Sequence, residues 1–350
     1  MTTKELNRKD FASDVEVKWC RGCGDFNVLK TMQSVLAKSG RTRENTVFIS
    51  GIGCSSRFPY YLDTYGFHTI HGRAPAIATG VKATNPDLDV WVVTGDGDAL
   101  SIGGNHFIHA IRRNQDIKIL LFNNAVYGLT KGQFSPTSEQ GFVSKSSPEG
   151  SPDQAIRPLA LAAAAGATFL ARTSDNDPAH MTMVLEAAAA HSGTAVVEIL
   201  QNCVIFNDKV HAPYNSPANR SEHLLYLIDG EPLLFGQEHS EALTNKGFSF
   251  TIVDSETLGL MTHSTQSEES HYAYAYALAN LSYPEFPVPV GVFRAVNRPT
   301  FDQVIRQQQQ RATQKHGEGS LAELLKHNSY QKSLLTSGNK PARDISLAGY

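Results

Sequence analysis

Asp89-Val90-Trp91-Val92-Val93-Thr94-Gly95-Asp96-Gly97-Asp98 carries an apolar, β-branched run straight into a glycine–aspartate turn. Such a run suits a buried strand. Glycines at its end let the backbone approach a phosphate, and the N-terminus of a following helix favours an anion. Asp96 supplies a hard carboxylate oxygen of the kind Mg2+ takes together with phosphates. The next apolar run, 117–122, ends in Asn123-Asn124. If the two strands are neighbours, the Asn124 amide oxygen and the Val126 carbonyl reach the same metal. Either half alone is an ordinary turn. The two halves at successive strand ends are far more specific.

Working outward, further apolar runs at 47–50, 167–171 and 195–200 read as strands. Helical patterns occupy 26–39, 75–83, 104–114, 157–165 and 178–191. Regular alternation of strand and helix predicts an α/β protein with a doubly wound, mainly parallel sheet covered on both faces. The Ala-rich pieces 161–165 and 186–190 read as tight helix packing, since Ala is the best helix former. Met181 and Met183 read as packing too. His106, His109, His180 and His191 fall on or beside predicted helices and read as packing or surface.

Past Asp208 the pattern changes. Runs at 224–228 and 232–235 flank Asp229-Gly230-Glu231, a hairpin signal. Residues 248–253 and 288–293 add candidate strands, and 301–310 and 320–326 candidate helices. Residues 337–341 read as a loose tail. The expectation is an appended subdomain or arm over 211–350, outside the sheet.

The chain has 350 residues, four of them Cys. Cys20 and Cys23 form a C-x-x-C before the first helix. Cys54 and Cys203 each follow a predicted strand. Ligands of open parallel sheets bind beyond the carboxyl ends of strands, so all four thiols could gather at the edge that holds Asp96. A lone Cys is usually a small buried hydrophobe, but here that must hold four times in Gly-containing contexts. Structural zinc sites often use two short-spaced pairs; this chain has one pair and two distant singles. A redox pair leaves Cys54 and Cys203 unexplained. A [4Fe–4S] cluster takes four thiolates and matches the count.

Charged residues make up 19% and the formal net charge is −3. Lys and Arg are scattered, which argues against a nucleic-acid partner. No apolar stretch of about 18 residues suggests a membrane span. The polar first ten residues lack a secretory apolar core, so a cytoplasmic location is expected, where thiols stay reduced.

As a set, Gly95-Asp96-Gly97 with Asn123-Asn124, Trp19-Cys20-x-x-Cys23-Gly24, Gly51-Ile52-Gly53-Cys54-Ser55-Ser56, His71-Gly72-Arg73-Ala74 and 126–133 resemble the β subunit of 2-oxoacid:ferredoxin oxidoreductases. The long C-terminal part resembles the 2-oxoglutarate branch. The resemblance implies a thiamin diphosphate-binding fold over 1–210. Cys20, Cys23, Cys54 and Cys203 would ligate one [4Fe–4S] cluster. Asp96, Asn124 and the Val126 carbonyl would hold Mg2+ against the diphosphate. Ser55, Ser56, His71, Gly72, Gly95, Gly97, Asp98, Tyr127, Gly128, Leu129 and Thr130 would line the cofactor site. It further implies an α subunit that supplies the glutamate for the aminopyrimidine ring and most of the coenzyme A site, an α2β2 assembly, and ferredoxin as electron acceptor. The implied reaction is coenzyme A-dependent oxidative decarboxylation of 2-oxoglutarate. Arg57 and Lys131 are candidates to meet a substrate carboxylate, a task that suits a guanidinium. Three alternatives stay open: pyruvate or a branched-chain 2-oxo acid as substrate, a non-oxidative thiamin diphosphate decarboxylase, and a zinc-stabilised binding module.

Overall fold

Short apolar runs bounded by turn residues become strands in the computed structural model, which describes residues 6–247, 249–266, 272–322 and 325. In chain order they are β1 Thr46–Ser50, β2 Tyr65–His68, β3 Asp89–Gly95, β4 Lys118–Asn123, β5 Phe169–Ser174, β6 Ala195–Leu200, β7 Leu224–Leu227, β8 Leu234–Phe235, β9 Glu241–Lys246, β10 Ser249–Asp254 and β11 Val288–Ala295. Eight of them form one sheet in the order β2-β1-β3-β4-β6-β5-β11-β7. Every pairing in it is parallel except β5 with β11. β8, β9 and β10 make a small antiparallel sheet.

Apart from the exposed edge strand β2, both faces of the large sheet are buried, as continuous apolar strands require. Phe48, Trp91, Val93, Leu120 and Phe122 point to one side, where the helices Asp25–Lys38 and Pro178–Ala190 pack. Val47, Ile49, Val92, Ile119 and Leu121 point to the other, under Ala74–Thr84, Gly104–Arg112, Pro158–Ala164 and Ala273–Ala279. The Ala-rich segments serve close packing: Ala162, Ala163 and Ala188 are fully buried. The expected doubly wound sheet is therefore present.

The C-terminal expectation needs correction. β7 and β11 belong to the large sheet, not to a separate arm. β11 is buried along most of its length, and its antiparallel pairing covers what would be the open edge of β5. The predicted hairpin is also absent. Gly230 makes a turn with φ of 82°, but β7 pairs with β11 and β8 pairs with β9. Pro232, just past the turn, has no N–H to offer a β7 ladder. The chain divides into Met1–Asp302 and a short unit, Gln303–Tyr350. Helix Phe301–His316 is the main described element of that region. Of the expected helix over 320–326, residues 321, 322 and 325 are helical and 323, 324 and 326 lie outside the described residues, as does all of the tail at 337–341. Among the described residues no helix is long and apolar enough to cross a membrane.

A buried polar chain laces β4, β6, β5 and β11. Arg172 and Glu198 face each other across β5 and β6, and Arg172 Nε donates to Glu198 Oε2 at 2.8 Å. Arg172 Nη1 donates to the Pro289 carbonyl. Asn123 Nδ2 donates to Glu198 Oε1 at 2.7 Å. Removing one member of such a pair leaves a charge uncompensated in the interior. Glu198→Ala is expected to lower unfolding stability by about 3–5 kcal/mol in urea melts, and Glu198→Leu with Arg172→Met by clearly less. A loss under about 1 kcal/mol for Glu198→Ala would show that the pair does not hold the strands.

Candidate active site

Parallel pairing brings the carboxyl ends of β1, β3, β4 and β6 to one edge of the sheet. The loops that follow them are 51–54, 95–98, 123–130 and 201–203. β3 ends at Gly95 and a one-turn helix, Asp96–Leu100, begins at once.

Asp98, almost fully buried, is the hub of these loops. Its Oδ1 accepts from the Ile52 and Gly72 amides at 3.1 and 2.7 Å and lies 2.6 Å from His71 Nδ1. Its Oδ2 accepts from Thr94 Oγ1. One carboxylate thus ties the loops after β1 and β2 to the end of β3. Gly51 packs so close to Asp98 that a Cβ there would overlap the carboxylate. Gly97 lies likewise against the Tyr127 ring, whose hydroxyl donates to the Gly97 carbonyl at 3.2 Å. Asp96 is 3% exposed, and burial lifts its pKa to about 6. Its Oδ2 accepts from Ser135 Oγ and Thr137 Oγ1 at 2.5 and 2.6 Å. Thr137 Oγ1 also lies 2.9 Å from Asn123 Oδ1, so it sits between the ends of β3 and β4.

A cavity of about 480 Å3 opens among these loops. Ser55, His71, Gly95, Asp96, Gly97, Asp98, Asn124, Val126, Tyr127, Gly128, Leu129 and Thr130 line it. Twelve of the fourteen residues expected around the cofactor are therefore brought together. Ser56 and Gly72 are not on the wall. The Ser56 side chain is fully buried and its carbonyl accepts from Ser50 Oγ, while Gly72 acts through the Asp98 bond.

The four cysteines line a second cavity of about 170 Å3. Trp19 Nε1 donates to the Cys54 carbonyl at 2.8 Å and its ring packs on Phe26, Phe58 and Tyr61. This fixes the Cys20 loop against the Cys54 loop. A Cβ on Gly128 would lie 3.5 Å from Cys203 Sγ and 3.7 Å from Cys54 Sγ. Burial raises the Cys23 and Cys54 thiols, Cys54 to about 11, and nearby Asp25 and Cys203 push both further up. Thiols so placed need a cation to become thiolates. Among the described residues no three His, Cys, Asp or Glu side chains close on one ion. Four thiols around one shared space are a donor set that either a [4Fe–4S] cluster or a zinc ion takes.

The two cavities share a wall of Cys54, Asn124, Gly128, Leu129 and Gln201. Gln201 was not anticipated from the sequence. Its Oε1 accepts from Asn124 Nδ2 at 2.8 Å and its Nε2 donates toward Cys23 Sγ at 3.4 Å, so it bridges the two sites. Asp25 was missed as well. It lines the larger cavity, is 1% exposed, and meets no N–H or O–H donor beyond the neighbouring Cys23 thiol. Ser135 and Thr137 were missed too; they lie in the long loop after β4, where no periodic pattern marks them. Arg57 and Lys131 line the cysteine cavity but not the larger one. The Arg57 guanidinium is anchored on the Lys18 carbonyl at 2.8 Å, which turns it toward the N-terminal loop.

Residues 51–199 match the family described as thiamine pyrophosphate enzyme, C-terminal TPP binding domain. The 2-oxoglutarate oxidoreductase subunit KorB of Mycobacterium tuberculosis is 51% identical over 311 residues, 88% of this chain and 83% of that protein. The β subunit of 2-oxoacid:ferredoxin oxidoreductase 1 of Aeropyrum pernix is 48% identical over 222 residues, 63% of this chain and 68% of that one. Among solved structures, the 2-oxoglutarate:ferredoxin oxidoreductase of Magnetococcus marinus with 2-oxoglutarate, coenzyme A and succinyl-CoA bound superimposes with a TM-score of 0.72 at 30% identity. That match covers 97% of this chain and 98% of the other. Together with the lined cavity at the ends of β1, β3 and β4, these likenesses show that the chain belongs to the β subunits of the 2-oxoacid:ferredoxin oxidoreductases.

Proposed function

We propose that this chain, with an α subunit, oxidatively decarboxylates 2-oxoglutarate to succinyl-CoA and CO2 and passes the electrons to ferredoxin. The observation that carries this reading is the shared wall. A cavity suited to a diphosphate cofactor and a cavity lined by four thiols meet at Cys54, Asn124, Gly128, Leu129 and Gln201. A non-oxidative decarboxylase or a zinc-stabilised module has no use for that adjacency. The choice of 2-oxoglutarate follows the M. tuberculosis relative's name and the ligands of the M. marinus structure.

Thiamin diphosphate, when bound, supplies the carbanion and electron sink for decarboxylation. The chain's residues hold and orient it. Asp96, Asn124 and the Val126 carbonyl form one carboxylate, one amide and one carbonyl donor, an all-oxygen set of the type Mg2+ shares with phosphates. Ser135 and Thr137 both bond the Asp96 Oδ2 and so fix its rotamer. Gln201 holds the Asn124 amide nitrogen, which directs the amide oxygen away from Gln201. Gly97 lets the backbone approach closely beside the Tyr127 ring. Cys20, Cys23, Cys54 and Cys203 would hold a [4Fe–4S] cluster, which takes up electrons one at a time. Each turnover releases two electrons and one proton as a C–C bond breaks and a C–S bond to coenzyme A forms.

Among the described residues no Lys or Arg lines the larger cavity. This reading assigns the cation for the substrate carboxylates to the α subunit. The α2β2 assembly and the cytoplasmic setting belong to the same proposal.

Anaerobically purified αβ enzyme is expected to hold about four iron and four acid-labile sulfide per β chain. It should reduce methyl viologen with 2-oxoglutarate and coenzyme A. Zinc without sulfide would remove the oxidative reading, and equal or faster turnover of pyruvate would move the substrate. A second experiment separates the two cavities. Asp96→Ala should weaken thiamin diphosphate binding roughly 100-fold while iron and sulfide stay. Cys203→Ser, whose side chain lines only the cysteine cavity, should lose iron and sulfide while cofactor binding measured by calorimetry persists. If Asp96→Ala binds the cofactor and Mg2+ normally, the metal assignment fails.

A further inference from the structure

A third cavity, of about 200 Å3, lies beside the last residues of β4 and β6 and the first of β11. It shares no lining residue with the two cavities above. It is smaller than the roughly 300 Å3 at which sites for drug-sized ligands begin, so it suits a small molecule. Arg172, 6% exposed, lines it. Its Nε and Nη1 are taken by Glu198 and the Pro289 carbonyl, but among the described residues its Nη2 makes no hydrogen bond. Both Glu198 oxygens are already used, by Arg172 and Asn123. Arg157 and Glu139 line the same space and are exposed. Arg157 Nη2 donates to Ser282 Oγ at 3.0 Å, and among the described residues neither Arg157 nor Glu139 has an ion pair. Tyr214 adds an acceptor. His211 Nε2 donates to the Asn123 carbonyl at 2.9 Å, and burial holds its pKa below the usual value, so the ring is neutral. Its Nδ1 then accepts from the Tyr214 hydroxyl at 2.6 Å, which leaves the Tyr214 oxygen lone pairs free.

We propose that this cavity binds an acidic α-amino acid, its two carboxylates on Arg157 and Arg172 and its ammonium between Glu139 and the Tyr214 oxygen. The lining offers two guanidiniums with N–H groups to spare and one carboxylate without a cation. A ligand of two negative groups and one positive group is the matching set. Guanidinium N–H groups are directed donors to carboxylates, and such charge-assisted bonds are the strong ones. A simple dicarboxylate would leave Glu139 unpaired and facing like charge; a monocarboxylate would leave one guanidinium idle. The site goes beyond the decarboxylation, since it stands apart from both cavities that reading uses. It is nevertheless close to them: Asn123 and Thr137 are on its wall, and Thr137 Oγ1 is 2.6 Å from Asp96 Oδ2. An occupant therefore sits one side chain away from the cofactor loops without entering them.

The test is calorimetry on the αβ holoenzyme with L-glutamate as probe and glutarate as the same skeleton without the ammonium. The parent should bind L-glutamate at one site per β chain and glutarate roughly 10-fold more weakly. Arg157→Gln should weaken L-glutamate roughly 10-fold. Glu139→Gln should weaken it by a similar factor and remove the preference over glutarate. Both residues are exposed, so both variants should fold, and their turnover with methyl viologen should stay as in the parent. No L-glutamate binding by the parent overturns the inference. So does binding that neither variant weakens, since the ligand then sits elsewhere, and so does glutarate binding as tightly as L-glutamate to the parent. None of these readings depends on turnover, so a failure of the decarboxylation reading would be seen separately.

Discussion

In a parallel sheet every strand delivers its carboxyl end to the same edge, and the backbone ladder sets which loops lie side by side. β1, β3, β4 and β6 obey that constraint in adjacent positions. Ser50 is level with Val93, Gly95 with Phe122, and Asn123 with Leu200. A carboxylate, an amide and two cysteine-bearing loops thereby come within reach of one another without a dedicated scaffold. Had any of these strands run antiparallel, its loop would lie at the opposite edge. Crossover helices, and so apolar strands buried on both faces, are the cost of the arrangement.

The edge gathers more polar groups than an interior tolerates unless each has a partner. Asp98 meets that condition through four contacts from three segments. Asp96 does so through two hydroxyls, and Glu198 through an arginine and an asparagine. These bonds convert loops into fixed walls. Asp25 departs from the pattern, since burial without a conventional donor raises its pKa to about 7. Such departures concentrate at functional sites, where a group is held ready for chemistry rather than for stability.

Local pattern carried most of the fold. The strand at 89–95 is legible because its continuous apolar run ends in glycines, and the cysteines are legible because they are rare and two of them follow strand ends. What stayed hidden depends on contacts between distant segments. Gln201 looks like any residue after a strand; its role comes from Asn124 and Cys23, 77 and 178 residues away. Ser135 and Thr137 sit in a loop without periodicity, and only the fold brings them to Asp96. β11 reads as a strand, yet its sheet cannot be inferred from its own residues. Its partner β5 lies more than a hundred residues earlier, with a small separate sheet between them. Arg57 is placed by the Lys18 carbonyl, a backbone group that no side-chain motif announces.

The walls of the cysteine cavity come from four stretches of chain that meet only across the assembled sheet. Cys20 and Cys23 precede the first long helix, Cys54 follows β1, and Cys203 follows β6. Between the first and last of them lie six of the eight strands of the large sheet. The thiols therefore cannot nucleate folding in the way a short zinc-binding loop does. The four thiols come together only once those strands have taken their places in the sheet. Solvent reaches them unequally: Cys20, on the Trp19 loop, is exposed, while Cys23, Cys54 and Cys203 are half-buried.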